Sequence, residues 1–444
     1  MLSVLDCAFL QAEQCRASTF TLCLQARAYA SKAQATARHC AHRKKPVQAS
    51  AQAGSALKTS ELGLVLSPSA EGWDSASLGN PVVRCFAGQV GEEGQQWKLW
   101  YSGSEHPASQ LDAVAPAAGS VGLAVSGDGI TWRRDEGRAI RPGESAPALP
   151  PGVALGPNQD NWWWHDTMAL SVSDVQIFAS GDGQDSAGVY WMYYSGSNFE
   201  EAEMPQGLAG SQSQSAAEGL RLRPGLAMSQ DGRNWARIEG EHHTGALFEV
   251  GKAGEWDEAF IAGPQVVAAG PNDMRMFYHS FDQQQQRCTV GLATSKDGFR
   301  WRKQGSIFSG SLEPGAFDSR GVTSRHVIRD PDSNRWLMFY EGIGDDGTSA
   351  IGLAVSDSGR DNWRRCPDPI LTAASDEDAW DAGCVGAPCA VAMAYGKWRL
   401  YYAGRQQKGP GNWQGIGLAL TSDAESVREF EGIRLSYQRR QTST

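Results

Sequence analysis

The chain has 444 residues, of which 41% are hydrophobic and 20% charged, with a formal net charge of −10. This balance is ordinary for a folded globular protein, and the length is enough for a large core. No apolar run of about 18 residues occurs, so no membrane-spanning helix is expected, and an acidic chain argues against a nucleic-acid partner.

The charge is unevenly placed. Residues 1–58 hold eight basic and two acidic side chains, a balance of +6, so residues 59–444 carry −16 of charge against the total of −10. The first segment is rich in Ala, Ser, Gln and Arg and has no apolar core beside a charged start. It reads as an organelle transit peptide, chloroplast (plastid stroma) ahead of mitochondrion, or as a disordered tail. Four of the nine cysteines lie in it. The others (Cys85, Cys288, Cys366, Cys384 and Cys389) are scattered without a CxxC pair, which suggests a reducing compartment and no disulfide framework; Cys384 and Cys389, five apart, read as buried thiols rather than a metal site. P-loop, dinucleotide and HxxxH signatures are missing too, so no cofactor and no metal are expected.

Beyond residue 58 the chain repeats. ELGLVLSP (61–68) reads as the last strand of a unit whose beginning lies elsewhere. Unit one follows with Trp73-Asp74, NPVV, WKLWYSG (97–103), Gly122-Leu123-Ala124 and SGDGITW. Unit two places Gln159-Asp160 in the aromatic–Asp position and Asp166-Thr167 before MALSV. It continues with YWMYYSG (190–196), Gly225-Leu226-Ala227 and SQDGRNW. Unit three is the most regular: Trp256-Asp257, GPQVV, MRMFYHS (274–280), Gly291-Leu292-Ala293 and SKDGFRW. Units four and five open on Phe317-Asp318 and Trp380-Asp381, and their hairpins stretch to SDSGRDNW and degrade to SDAESVREF.

Five units of about 60–65 residues, each with four short strands, predict an all-β five-bladed β-propeller with four antiparallel strands per blade. It spans 59–436, with 437–444 as a flexible C-terminal tail. ELGLVLSP is expected to complete the last blade and close the ring, because its edges would otherwise be unpaired. The Asp-Gly steps are expected to be hairpin turns with both residues at φ > 0. Residues 138–158 are Pro-rich. Residues 197–224 interrupt unit two, as a lid over one face or as a disordered loop; disorder is the reading for SQSQSAAEG.

The repeat acts as a filter. Residues found in every unit are architecture, which sets aside Asp74, Asp160, Asp257, Asp318 and Asp381. Just before the inner strands stand Asn80, Asp166, Gly263, Ser324 and Ala387. Only Asp166 is acidic, and it follows Trp162-Trp163-Trp164-His165. Aromatic faces stack on sugar C–H surfaces while a carboxylate takes hydroxyls or a proton; alternatively the tryptophans fill an interface between blades. Unit four contributes Arg320, Arg325 and His326. Arg325 stands where other units have Pro, as a clamp for a carboxylate or phosphate or as a salt-bridge partner. The second strands end in Ser102, Ser195, His279, Glu341 and Ala403, where Glu341 is a candidate second carboxylate. Glycosidic bond cleavage needs such a pair, one group to protonate the leaving oxygen and one to activate water or attack. The candidate catalytic residues are thus Asp166 and Glu341. The candidate substrate-binding residues are Asn80, Trp164, His165, His279, Arg320, Arg325 and His326.

Over roughly 61–435 the chain resembles the five-bladed propeller glycoside hydrolases: arabinanases and xylosidases of family 43, and invertases and levansucrases of families 32 and 68. The resemblance rests on the five units, the Tyr-Ser-Gly strand ends and the Ser-x-Asp-Gly-x-x-Trp hairpins. It implies a carbohydrate pocket and an acid before Pro on the first inner strand. Gly79-Asn80-Pro81 puts Asn80 in place of that nucleophile or base. His165-Asp166-Thr167 loosely matches the Arg-Asp-Pro of invertases, and Ala262-Gly263-Pro264 lacks the general acid of Glu-Cys-Pro. Two functions follow: a glycosidase-like enzyme with a rearranged site using Asp166 and Glu341, or a non-catalytic carbohydrate-binding or assembly propeller. A third reading is unrelated chemistry using His165, His279 or His326.

Overall fold

Each aromatic–Asp pair leads into an inner strand, and three further strands follow antiparallel to it. In blade one these are Ser77–Ala87, Gln95–Ser104, Ser120–Ser126 and Arg133–Arg134. Val153–Leu155, from the Pro-rich joint, also pairs with the third strand. Blade two comprises Ala169–Ala179, Gly188–Ser197, Arg223–Ser229 and Ala236–Ile238; blade three comprises Ala262–Gly270, Asp273–Asp282, Arg287–Ser295 and Arg302–Phe308. Blade four comprises Gly321–Arg329, Trp336–Ile343, Ser349–Ser356 and Arg364–Arg365. This computed structural model describes residues 62–87, 95–106, 119–137, 149–179, 188–205, 207–208, 216–393, 396–408, 413–421, 429–434 and 436–440. The segment 1–58 and its targeting expectation lie outside the described residues. Among those described, no helix is long and apolar enough to cross a membrane.

Blade five has inner strands Cys384–Ala392, Trp398–Arg405 and Gly415–Thr421. Its outer edge is shared. Leu64–Leu66 pairs with one end of the third strand, and Tyr437–Arg439 with the other. The first of these is the ring closure expected from ELGLVLSP. The second corrects the expectation of a flexible tail at 437–444. Tyr437 is buried, and Arg439 Nε donates to Asp381 at 2.8 Å, so residues 437–439 belong to the last blade. Residues 441–444 lie outside the described set.

Neighbouring blades are joined where one third strand begins beside the next inner strand. Leu78 N–H donates to Trp413 O at 3.1 Å, Gly119 N–H to Leu170 O at 3.0 Å, and Ile261 N–H to Leu222 O at 2.9 Å. A parallel bridge joins Cys288 to Gly321, and Ser349 Oγ donates to Val385 O at 3.1 Å. Together these contacts run right round the ring.

In the Ser-x-Asp-Gly hairpins only the glycine is left-handed, with φ of 70° at Gly129, 77° at Gly232 and 82° at Gly298. The aspartate, expected at φ > 0, has another role. Asp128 Oδ1 accepts the amides of Ile130 and Thr131, at 2.7 and 2.8 Å, and Asp231 and Asp297 do the same in their turns. Side-chain capping of two amides fixes the turn without a strained aspartate.

The interruption of blade two is folded where it is described. Glu201–Glu203 pairs with Ala216–Glu218. Ala202, Met204, Leu208, Leu220 and Leu222 are buried with Phe260, Phe281 and Cys288. Five apolar side chains in the insert make this flap a packed addition beside blade three. That corrects the expectation of disorder for its 216–218 portion; residues 211–215 lie outside the described set.

Candidate functional site

A buried carboxylate stands at the entrance to every blade. Asp74, Asp166, Asp257, Asp318 and Asp381 accept the hydroxyls of Tyr101, Tyr194, Tyr278, Tyr340 and Tyr402 at 3.0, 3.0, 3.0, 2.8 and 2.9 Å. Each also meets a cation from the blade's outer strand: Arg134 (2.9 Å), Arg237 (2.6 Å), Lys303 (2.8 Å), Arg365 (2.9 Å) and Arg439 (2.8 Å). The ring before each aspartate stacks on the same tyrosine, with centroids 5.4–5.9 Å apart for Trp73, His165, Trp256, Phe317 and Trp380. At Gly122, Gly225, Gly352 and Gly417 of the Gly-Leu-Ala signature a Cβ would collide with both rings, and at Gly291 with Trp256.

Asp166 is therefore the blade-two member of the structural set. Asp160, placed there from the sequence, is exposed in the preceding loop. The carboxylate of Asp166 is fully buried, and its Oδ2 is shared by Tyr194 and Arg237. His165 takes the position of a tryptophan. Its Nδ1 donates to Thr244 O at 3.2 Å, and burial pushes its pKa down, so the neutral ring carries its proton on Nδ1. Trp164 covers Gly245 and stacks on His165, half-buried. None of the three lines the cavity described next.

Correcting blade two's register locates the mouth of the channel. Six residues beyond each aspartate stand Asn80, Val172, Gly263, Ser324 and Ala387; next come Pro81, Ser173, Pro264, Arg325 and Pro388. All but Pro264 line a cavity of about 460 Å3, counting the open water at its entrance, together with Val82, Ser171, Ser195 and His279. Every inner strand has a register break here. Asn80, Gly263 and Ala387 are left-handed, with φ of 50°, 60° and 46°. Such bulges turn side chains out of the ladder and toward the channel.

Two tiers of side chains bracket the inner strands together. In the upper tier, second-strand ends accept the amides of the next blade: Ser102 from Val172 (3.0 Å), Ser195 from Gly263 (2.8 Å) and Glu341 from Ala387 (3.1 Å). Glu341 is only 5% exposed, and burial raises its pKa, offset in part by Arg405. It sits behind Ala387 and is not among the cavity's lining residues. The expected carboxylate pair is thus not assembled at the mouth: Asp166 belongs to its blade's entrance and Glu341 to an inter-blade bracket.

The lower tier accepts amides in the same way. Asp174 takes Val266 N–H (3.0 Å), Gln265 takes Val327 (2.9 Å), His326 takes Ala390 (3.3 Å) and Cys389 takes Val83 (3.4 Å). Arg84 pairs with Asp174 and donates to Val175 O at 2.9 Å. His326 therefore works within the bracket, and burial pushes its pKa down to about 3. Arg320 is exposed and reaches Gly207 O of the flap at 3.4 Å.

Of the residues singled out from the sequence, the mouth brings together Asn80, His279 and Arg325. Asn80 Nδ2 donates to Ser171 Oγ at 2.6 Å, and Arg325 Nη1 donates to His279 Nδ1 at 3.1 Å. Ser171, Val172, Ser173 and the deeper Asp174 went unrecognised. The spacing from His165-Asp166 to Tyr194 would have revealed them, had a histidine been allowed in the tryptophan position.

The fold is similar to that of solved glycoside hydrolases. A thermostable family-43 glycoside hydrolase matches with a TM-score of 0.54 at 13% identity, over 83% of this chain and 95% of that one. A second match belongs to the GH130 family of mannoside phosphorylases, which contains hydrolases that target β-1,2 mannosidic linkages in Candida mannan. Its TM-score is 0.52 at 16% identity, over 86% and 97% of the two chains. A glycosyl hydrolase from Bacteroides ovatus matches with a TM-score of 0.50 at 18% identity, over 84% and 93%. The sequence matches no protein-family model and no curated protein. At these identities the likeness shows the propeller fold alone, and the site must be argued from its own residues.

Proposed function

We propose that the channel mouth is a carbohydrate site and that the propeller holds its sugar without cleaving it. One observation carries this reading. The described lining offers an amide, hydroxyls, an imidazole and a guanidinium, and no carboxyl group. Pro81, Pro388 and Val82 supply apolar surface to a sugar ring, while Asn80 and the serines supply partners for its hydroxyls. Hydrolysis needs two carboxyl groups flanking the scissile bond. Asn80, where the resembled enzymes carry an acid, cannot act as nucleophile or base. The test is a glycan-binding screen run beside a hydrolysis assay on the same preparation. Binding without release of reducing sugar supports the reading; turnover of a bound glycan refutes it.

A second reading keeps hydrolysis and rests on Glu341, whose burial favours the protonated form that a general acid needs. It requires sugar release that disappears in Glu341→Gln. For location, the plastid remains our proposal, on the composition of residues 1–58, and a fluorescent fusion of that segment found in the cytosol would refute it.

A further inference from the structure

Among the described residues, buried arginines other than Arg325 are met by opposite charge, by several carbonyls or, for Arg405, by the Cys384 thiol and the face of Trp413. Arg223 faces Glu249 and Glu200, Arg275 faces Asp273, and Arg287 donates to the carbonyls of Ser309, Ser311 and Ser319. Arg325 is 6% exposed, lines the mouth and has no carboxylate partner among the described residues. Its Nη1 donates to His279 and its Nη2 to Gly263 O, while Nε is buried without a partner. A desolvated guanidinium is costly unless something neutralises it.

We propose that Arg325 is the seat for an anionic group on the ligand, and that the mouth takes an acidic sugar carrying a carboxylate. This rests on the carbohydrate reading above and narrows it. The two fixed donors orient the guanidinium plane, leaving the remaining Nη protons for a carboxylate, which a guanidinium binds through paired donors. A bare inorganic anion would leave the apolar faces of Pro81 and Pro388 and the hydroxyls of Ser171, Ser173 and Ser324 unused. A uronic acid uses both: its carboxylate meets Arg325, and its ring and hydroxyls meet the remaining wall. The burial that lowers the Arg325 pKa to about 9 acts without any neighbouring acid, and a bound carboxylate supplies the missing counter-charge.

The experiment titrates the full chain with glucuronate, galacturonate and mannuronate, with glucose, galactose and mannose as neutral parents, and with inorganic phosphate, following binding by NMR. The expected result is a uronate bound about 10- to 100-fold tighter than its neutral parent, the contribution of a charge-assisted hydrogen bond. Arg325→Gln should erase that preference, so that the uronate and its neutral parent bind alike, and Arg325→Lys should keep part of it. Thermal unfolding checks that each variant is folded; the wild-type preference needs no variant, so a misfolded one leaves the test standing. Neutral sugars bound as tightly as uronates, or a preference that survives Arg325→Gln, would overturn the acidic-sugar proposal and leave the carbohydrate site intact. Phosphate bound through Arg325 with no sugar bound, or no probe bound at all, would overturn both.

Discussion

Arg237 and Tyr194 converge on one oxygen of Asp166, the guanidinium at 2.6 Å and the hydroxyl at 3.0 Å. The same convergence in the other four blades makes this a device that ties the entrance of a blade to its second and outer strands. Asp166→Asn should therefore destabilise the protein and spare ligand binding. Removing the charge leaves Arg237 unpaired, a loss of about 3 kcal/mol, toward the low end for a buried pair because Arg237 is partly exposed. Urea unfolding with parallel glycan binding checks this. A variant of unchanged stability that no longer binds would return Asp166 to the site.

Glu341 tests the bracket through pH. Its pKa is raised above 4.5 by burial, so the folded chain keeps this proton where the unfolded chain has lost it. The associated stability is complete below the unfolded carboxyl value, about 4.3, and is lost as pH rises through the folded value. Glu341→Gln keeps an acceptor for the Ala387 amide and removes the titration. The stability of wild type relative to this variant should fall with rising pH, by at most about 1.4 kcal/mol per pH unit. Denaturation midpoints for both proteins across a pH series would show it, and a difference that stays flat counts against the buried, proton-holding carboxyl.

His326 predicts the opposite slope. Its folded pKa of about 3 lies below the ordinary histidine value, so the unfolded chain binds the extra proton first. The stability it carries is present above about pH 6.5 and is lost as pH falls toward 3. Asn at this position can still accept from Ala390 without titrating. Wild type should lose ground to His326→Asn on acidification, in the same denaturation series. A histidine that titrates near 6.5 by NMR would remove the basis of this prediction.

The signature glycines give a packing test. A methyl at Gly225 would strike the Tyr194 ring and His165 Nε2, whereas one at Gly127 would meet open space. Gly225→Ala should cost about 1–3 kcal/mol as overpacking, and Gly127→Ala should stay within about 0.5 kcal/mol. Equal unfolding midpoints for the two variants would mean that the rings over Gly225 can move aside.

Much of this fold is written locally. Tyr278 lies opposite Gly291 because one is the widest and the other the smallest residue on facing strands, and a five-fold repetition makes that pairing legible without coordinates. Blade two misled because His165 does a tryptophan's job: a six-residue error followed, and it put Asp166 at the mouth and hid Ser171 and Asp174. Arg325 and His279 were visible as departures from the repeat. That Glu341 faces a neighbouring blade's amide was not visible, because side-chain direction at a bulge depends on the left-handed backbone of Ala387 and not on spacing.

The last blade supplies a prediction about closure. Tyr437 pairs with Thr421 and is buried, and Arg439 is the cation of Asp381, the role Arg237 fills in blade two. A chain ending at Ser436 would expose that edge of the third strand, open the packing around Tyr437 and leave Asp381 with Tyr402 alone. Loss of a buried pair together with a buried aromatic predicts destabilisation of at least about 3 kcal/mol. Trimming only residues 441–444 keeps the Tyr437 strand pairing and the Arg439–Asp381 pair and serves as the comparison. Urea unfolding of the two truncations separates the cases. If both unfold at the wild-type midpoint, Leu64–Leu66 alone closes the ring.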